Sequence, residues 1–181
     1  STSILATTLT SSDADLKSAL KAFRKAEERT GPLPGSRPFG IHLEGPYFCD
    51  AQRGAQDPRY LKDPSPDHYE PLLDEYPEIL RVSAAPELPG ALELGRRLRL
   101  RGVLASAGHT DATFEQIEEA VDAGYTHMTH LYSGMSGVRR IRARRVAGAV
   151  EAGLLLDSLT VEIIADGVHL PPSLLRLIYK C

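Results

Sequence analysis

Cysteine is nearly absent: Cys49 and Cys181 are the only two in 181 residues. They form no CxxC spacing, which argues against a disulfide framework or a zinc ribbon. No apolar run approaches the ~18 residues a membrane span needs, and the N-terminus lacks the charged-then-apolar layout of a secretion signal. A cytoplasmic location is therefore expected. Charge of one sign is also lacking, since 21 Lys and Arg against 24 Asp and Glu leave a net charge of -3. That balance gives no electrostatic reason to expect nucleic acid or an anionic membrane as partner, although phosphate could bind locally. No GxGxxG follows the first apolar run and no GxxxxGK(S/T) occurs, so the usual nucleotide-binding motifs are missing. Internal repeats and low-complexity tracts are missing too.

What is present is an ordinary globular composition, 42% hydrophobic and 25% charged, in a chain shorter than the roughly 250 residues of a closed β/α barrel. Starting at Ser1 and stopping after a helical pattern, it reads as an excised piece of a longer protein, a single domain over 1–181. Strand-like runs at Ile4–Leu9, Phe39–Leu43, Ile79–Ala84, Val103–Ser106, Tyr125–Leu131 and Leu159–Ala165 alternate with helical patterns. The first helix opens at Ser12–Asp15 and should stop near Gly31-Pro32; others are expected around Pro71–Tyr76, Leu88–Arg101, Thr113–Ala123, up to about Leu156, and from Pro171-Pro172. Gly45–Asp67 reads as a long functional loop, and Arg139–Arg145 as a basic segment leading into a helix. Alternation without hairpin turns predicts an α/β fold with a parallel sheet, either doubly wound or a β/α barrel. Functional groups at many strand ends favour the barrel, because open sheets concentrate ligand contacts at one switch point.

Those strand ends carry the chemistry. Glu44 follows a buried run, where a carboxylate is costly unless paired or metal-bound. His42 shares its side of the strand and is either a ligand or a satisfied core histidine. His109 stands beside Gly108, which allows close backbone approach, with Asp111 placed to cap the next helix. His127 and His130 are three apart, so in a strand only one can face the interior, and His130 is the one at the strand's end. His169 follows Asp166-Gly167, a turn that could swing it over the site, whereas His68 reads as a surface residue. One Glu and two His make a three-ligand set that leaves a position for water on a divalent metal. Such a set suits zinc, iron or manganese.

Gly40–Phe48, Ala85–Glu87, Ala107–Thr113, Thr129–Met135 and Glu162–His169 together resemble, in order, the N-acetylglucosamine-6-phosphate deacetylases of the metal-dependent amidohydrolase superfamily. The resemblance covers essentially the whole chain. It implies that the six strands are the second to seventh of a (β/α)8 TIM-type barrel, incomplete here because the first and eighth strands are missing. It implies Glu44, His109 and His130 as metal ligands, zinc foremost, and His169 as the group that polarises the acetamide carbonyl and steadies the oxyanion. A catalytic aspartate is expected beyond Cys181. An amino-sugar phosphate is the implied substrate, touched by Gln56, Ser133, Gly134 and His169 and clamped by an arginine, Arg140, in a homodimer. Two departures stand out: Ser133-Gly134 replaces the family's Asn-Ala, and Gln56 ends an Arg-Gly-Ala-Gln segment where the family has Lys-Gly-Ala-His.

Overall fold

The computed structural model describes residues 3–28 and 35–181. Its strands, in chain order, are β1 (Ser3–Thr7), β2 (Arg37–Glu44), β3 (Ile79–Ala84), β4 (Leu104–Ala107), β5 (Tyr125–Met128), β6 (Arg139–Ile141), β7 (Arg144–Val146) and β8 (Thr160–Val161). Six of them form one sheet in the order β1-β2-β3-β4-β5-β8, and every pairing in it is parallel. The helices are α1 (Asp13–Glu28), α2 (Pro66–Glu75), α3 (Ala91–Leu100), α4 (Phe114–Asp122), α5 (Ala149–Leu155) and α6 (Pro172–Lys180). Parallel neighbours need crossovers, which the helices supply, so all six strands of this sheet point their C-terminal ends the same way.

Several elements differ from expectation. The basic segment is an antiparallel hairpin, β6 with β7, turned at Arg142 in a left-handed conformation (φ 57°); the reading without hairpins fails there. The fifth strand stops at Met128 rather than Leu131, because His130 takes up a left-handed turn (φ 37°) that ends extended geometry. At the sheet edge, β8 shrinks to Thr160–Val161, having a partner only in β5. Helix α2 starts at Pro66, where a first-turn proline loses no intrahelical bond, and not near Pro71. Thr113, not Asp111, caps α4: its hydroxyl accepts the Gln116 N–H while the Gln116 side chain accepts the Thr113 N–H. The expected stop at Gly31-Pro32 lies outside the described residues.

Period-two alternation gives the sheet two unlike faces. Ile41, Leu43, Val82, Ala84, Ala105 and Ala107 join Leu94 and Leu98 of α3 and Ile117 and Ala120 of α4 in one apolar core. The alternate positions, His42, Arg81, Ser83 and Ser106, are buried and polar; Arg81 bonds to His42 and His42 to Ser83, and Thr129 links Ser83 to Ser106 across the strands. Helix and sheet meet closely at Gly95, where a Cβ would lie 2.6 Å from the Tyr125 ring. That ring is held by its hydroxyl, which donates to the Ala91 carbonyl at 3.0 Å. Gly→Ala in an exposed helix gains about 1 kcal/mol; here Gly95→Ala is expected to cost about 1–3 kcal/mol by overpacking. Urea unfolding checks the sign, and a raised midpoint would contradict the close approach.

Candidate metal centre

The C-terminal ends of β2, β4 and β5 deliver three donors to one point. Glu44 is the last residue of β2. His109 and His130 follow β4 and β5, each in a left-handed turn (φ 48° and 37°), a conformation uncommon for non-glycine residues and most frequent at functional sites. His109 Nε2 lies 3.2 Å from Glu44 Oε1, His130 Nε2 lies 3.4 Å from the same oxygen, and the two Nε2 atoms are 3.2 Å apart. The three side chains are only 9–13% exposed.

The hydrogen bonding of His109 decides what this triangle can hold. Its Nδ1 faces the Gln52 carbonyl at 3.0 Å, and a carbonyl only accepts, so Nδ1 carries the proton and Nε2 presents a lone pair. A lone pair directed at a carboxylate oxygen and a second imidazole needs either a proton on His130 Nε2 or a cation among them. Donors on a tetrahedral zinc, at about 2.0–2.2 Å from the metal, sit roughly 3.3–3.6 Å from each other. The observed spacing fits such an ion. Among the described residues, Glu44, His109 and His130 are the group placed to hold one.

Neighbouring residues fix the donors. Gln56, expected to touch substrate, is buried with both ends engaged: its carbonyl accepts the Thr10 N–H at 2.8 Å and its NH2 donates to Glu44 Oε1 at 3.3 Å. Gly134 (φ 59°) leaves room beside His109, since a Cβ there would stand 2.8 Å from the Gln52 carbonyl and 2.9 Å from His109 Nδ1. Ser133 closes a turn, its N–H donating to the His130 carbonyl. Glu87 accepts the Thr110 hydroxyl and the Asp111 N–H at 2.5 and 2.6 Å. Asp111 in turn takes Gln52 Nε2 and Arg139.

Other expected residues lie elsewhere. His169 is exposed, with its Nδ1 2.8 Å from Asp166 Oδ2, and no hydrogen bond joins it to the triangle among the described residues. Arg140 is exposed on the hairpin and donates to the Arg142 carbonyl, while its neighbour Arg139 reaches Asp111. His68 is half-buried and anchored: its ring lies between the buried Tyr47 hydroxyl at 2.7 Å and the exposed Asp13 at 3.1 Å.

Sequence reading missed the polar interior behind the triangle. Arg81 can only donate, so His42 Nδ1, 2.6 Å from it, accepts and His42 Nε2–H donates to Ser83. Ser83, Thr129, Ser106 and His127 continue the chain at 2.6, 2.6 and 2.8 Å. The available signal was alternation, with Arg81, Ser83 and Ser106 as polar positions in otherwise apolar strands.

Comparison with known proteins follows the same lines. No family model matches the chain. The N-acetylglucosamine-6-phosphate deacetylase of Vibrio furnissii is 34% identical over 181 residues, 99% of this chain and 44% of that protein. The N-acetylgalactosamine-6-phosphate deacetylase of Escherichia coli is 36% identical over 178 residues, 98% of this chain and 46% of that protein. A crystal structure of the N-acetyl-D-glucosamine-6-phosphate deacetylase of Mycobacterium smegmatis, 35% identical, superimposes with a TM-score of 0.88 over 99% of this chain and 45% of that one. The chain is a relative of the N-acetylglucosamine-6-phosphate deacetylases. It spans less than half the length of these relatives, and its parallel sheet corresponds to an incomplete barrel-like part of their fold.

The charges at the triangle depend strongly on one another. Burial alone would raise the Glu44 pKa, but the His109 and His130 imidazoles beside it hold it well below the carboxylate range. Burial works against the charged form of His130 as well, and Glu44 overcomes it, leaving that pKa raised. His42 goes the other way: burial first and Arg81 second bring its pKa from 6.5 to about 3. A neutral folded His42 and a titrating unfolded one mean that unfolding takes up a proton between those two values. Stability should therefore fall by about 1.4 kcal/mol per pH unit on acidification from near pH 6.5 toward 3 on this account alone. Denaturant melts of wild type and His42→Gln check it, and equal pH slopes would contradict a neutral buried His42.

Proposed function

We propose that the polypeptide carrying this chain hydrolyses the N-acetyl group of N-acetylglucosamine 6-phosphate, giving acetate and glucosamine 6-phosphate. The observation that carries this reading is the Glu44, His109 and His130 triangle, with donors 3.2–3.4 Å apart at the strand ends, in a chain related end to end to such deacetylases. Glu44, His109 and His130 would hold one divalent metal, zinc foremost, which when bound supplies Lewis acidity and a water of lowered pKa. Gln56 and the Gln52 carbonyl keep the donors aimed. His169, oriented through Nδ1 by Asp166, would present Nε2 to the acetamide oxygen as negative charge grows there. Asp166 suits that task, since the N–H groups of His169 and Val168 bring its pKa down to about 2. The base that takes the water's proton is expected on a further strand of the complete barrel, of which these six strands are the second to seventh. Exposed apolar residues such as Phe39, Val168 and Tyr179 are in keeping with further covering structure. The basic hairpin, with Arg140 exposed on it, is the candidate phosphate clamp, reaching substrate across a homodimer.

A second reading concerns the sugar. The Escherichia coli relative acts, by its name, on the galactosamine epimer, and Ser133 and Gln56 differ from the common family residues, so the 4-hydroxyl specificity is open to either epimer.

Assay of the complete polypeptide tests both. Chelation is expected to abolish acetate release and zinc to restore it, and Glu44→Gln to cut turnover by on the order of 10²-fold, at least what losing an outer-shell partner costs. Unchanged turnover after metal removal would sink the mechanism. Equal turnover of phosphorylated and unphosphorylated N-acetylglucosamine would sink the substrate assignment, and the ratio between the two epimeric phosphates decides the sugar.

A further inference from the structure

Glu162, just past β8, makes a set of contacts that the proposed reaction does not use. Its backbone N–H donates to the Met128 carbonyl and its own carbonyl accepts the Leu131 N–H at 2.8 Å. Its carboxylate then accepts the N–H of His130, which lies between those two residues, at 3.3 Å. Main chain and side chain of one residue thus grip both sides of the left-handed His130 turn. The carboxylate is itself held from across the sheet, as Arg81 NH1 lies 2.6 Å from Oε2 and NH2 3.3 Å from Oε1. That guanidinium is almost fully buried on β3 and also meets His42, so the carboxylate cannot drift without stranding a buried cation.

We propose that Glu162 is a positioning residue for the metal site: clamped by Arg81, it stabilises the strained backbone of His130 and so sets where Nε2 of His130 points. The need is physical. A non-glycine residue in the left-handed region costs on the order of 1 kcal/mol or more and persists only where its surroundings over-determine it. His130 Nδ1 is buried and has no partner among the described residues. The ring therefore lacks the hydrogen bond that usually orients a metal-bound imidazole, and the task passes to the backbone. His109 contrasts with it, because its Nδ1 is anchored on the Gln52 carbonyl. In the first case orientation comes from the turn, in the second from the ring.

The inference rests on Glu44, His109 and His130 binding a metal, and cobalt(II) separates the two claims. In the complete polypeptide, wild type is expected to bind one Co2+ at this centre with visible d–d bands. Glu162→Ala should weaken binding 10- to 100-fold, about what losing an outer-shell partner costs. Glu162→Gln keeps an acceptor for the His130 N–H but loses the charge that holds Arg81, so it should lie between the two and shift the bands. Glu70→Gln, which cuts a surface pair with Arg97, serves as the control and should leave both affinity and spectrum alone. Wild-type affinity and spectrum in Glu162→Gln would overturn the positioning role, including where Glu162→Ala fails to fold. Absence of Co2+ binding by wild type would instead overturn the metal reading on which it stands.

Discussion

Everything at the strand ends follows from one electrostatic conflict. A carboxylate and two imidazoles converge within 3.4 Å, and the proton on His109 Nδ1 leaves its Nε2 lone pair facing the other two groups. Negative charge removed from water in a mostly buried place must be compensated locally, by a proton on His130 or by a metal ion among the donors. A divalent cation resolves the conflict, and the spacing of the donors suits one. The left-handed turns at His109 and His130, the glycine at 134 and the engagement of Gln56 at both ends all serve to bring these atoms together against that cost.

The sheet makes the convergence possible. Parallel strands present their ends on one side, and period-two alternation sends the apolar side chains toward α3 and α4 while keeping polar ones inside. The interior is a hydrogen-bonded lattice from Arg81 through His42 to His127. Running across four strands, it ties the register of β2 to that of β5, so the three donors cannot shift independently. The Arg81 to Glu162 pair extends the same lattice to β8.

How much of this was legible follows from where each signal resides. Apolar runs and their spacing located all six strands of the main sheet, because burial writes itself into local composition. The triangle was legible too, since a Glu and two His at strand ends are few enough to enumerate. Turn geometry was not: nothing in Arg139–Val146 announces a hairpin without a glycine or asparagine at its turn, and a left-handed His130 cannot be read from Thr129-His130-Leu131. Arg81 and Glu162 stand 81 residues apart, a pairing that only tertiary structure creates. His68, which lies in the first turn of α2, shows the same limit, its polar neighbours in sequence hiding the contact with Tyr47.

The central claim is that one divalent metal belongs at this triangle, and anomalous diffraction tests it most directly. Crystals of the complete polypeptide grown with zinc, measured on both sides of the zinc edge, should give one strong difference peak among Glu44 Oε1, His109 Nε2 and His130 Nε2. A featureless map at that point, in crystals whose zinc is bound elsewhere or not at all, would contradict the account.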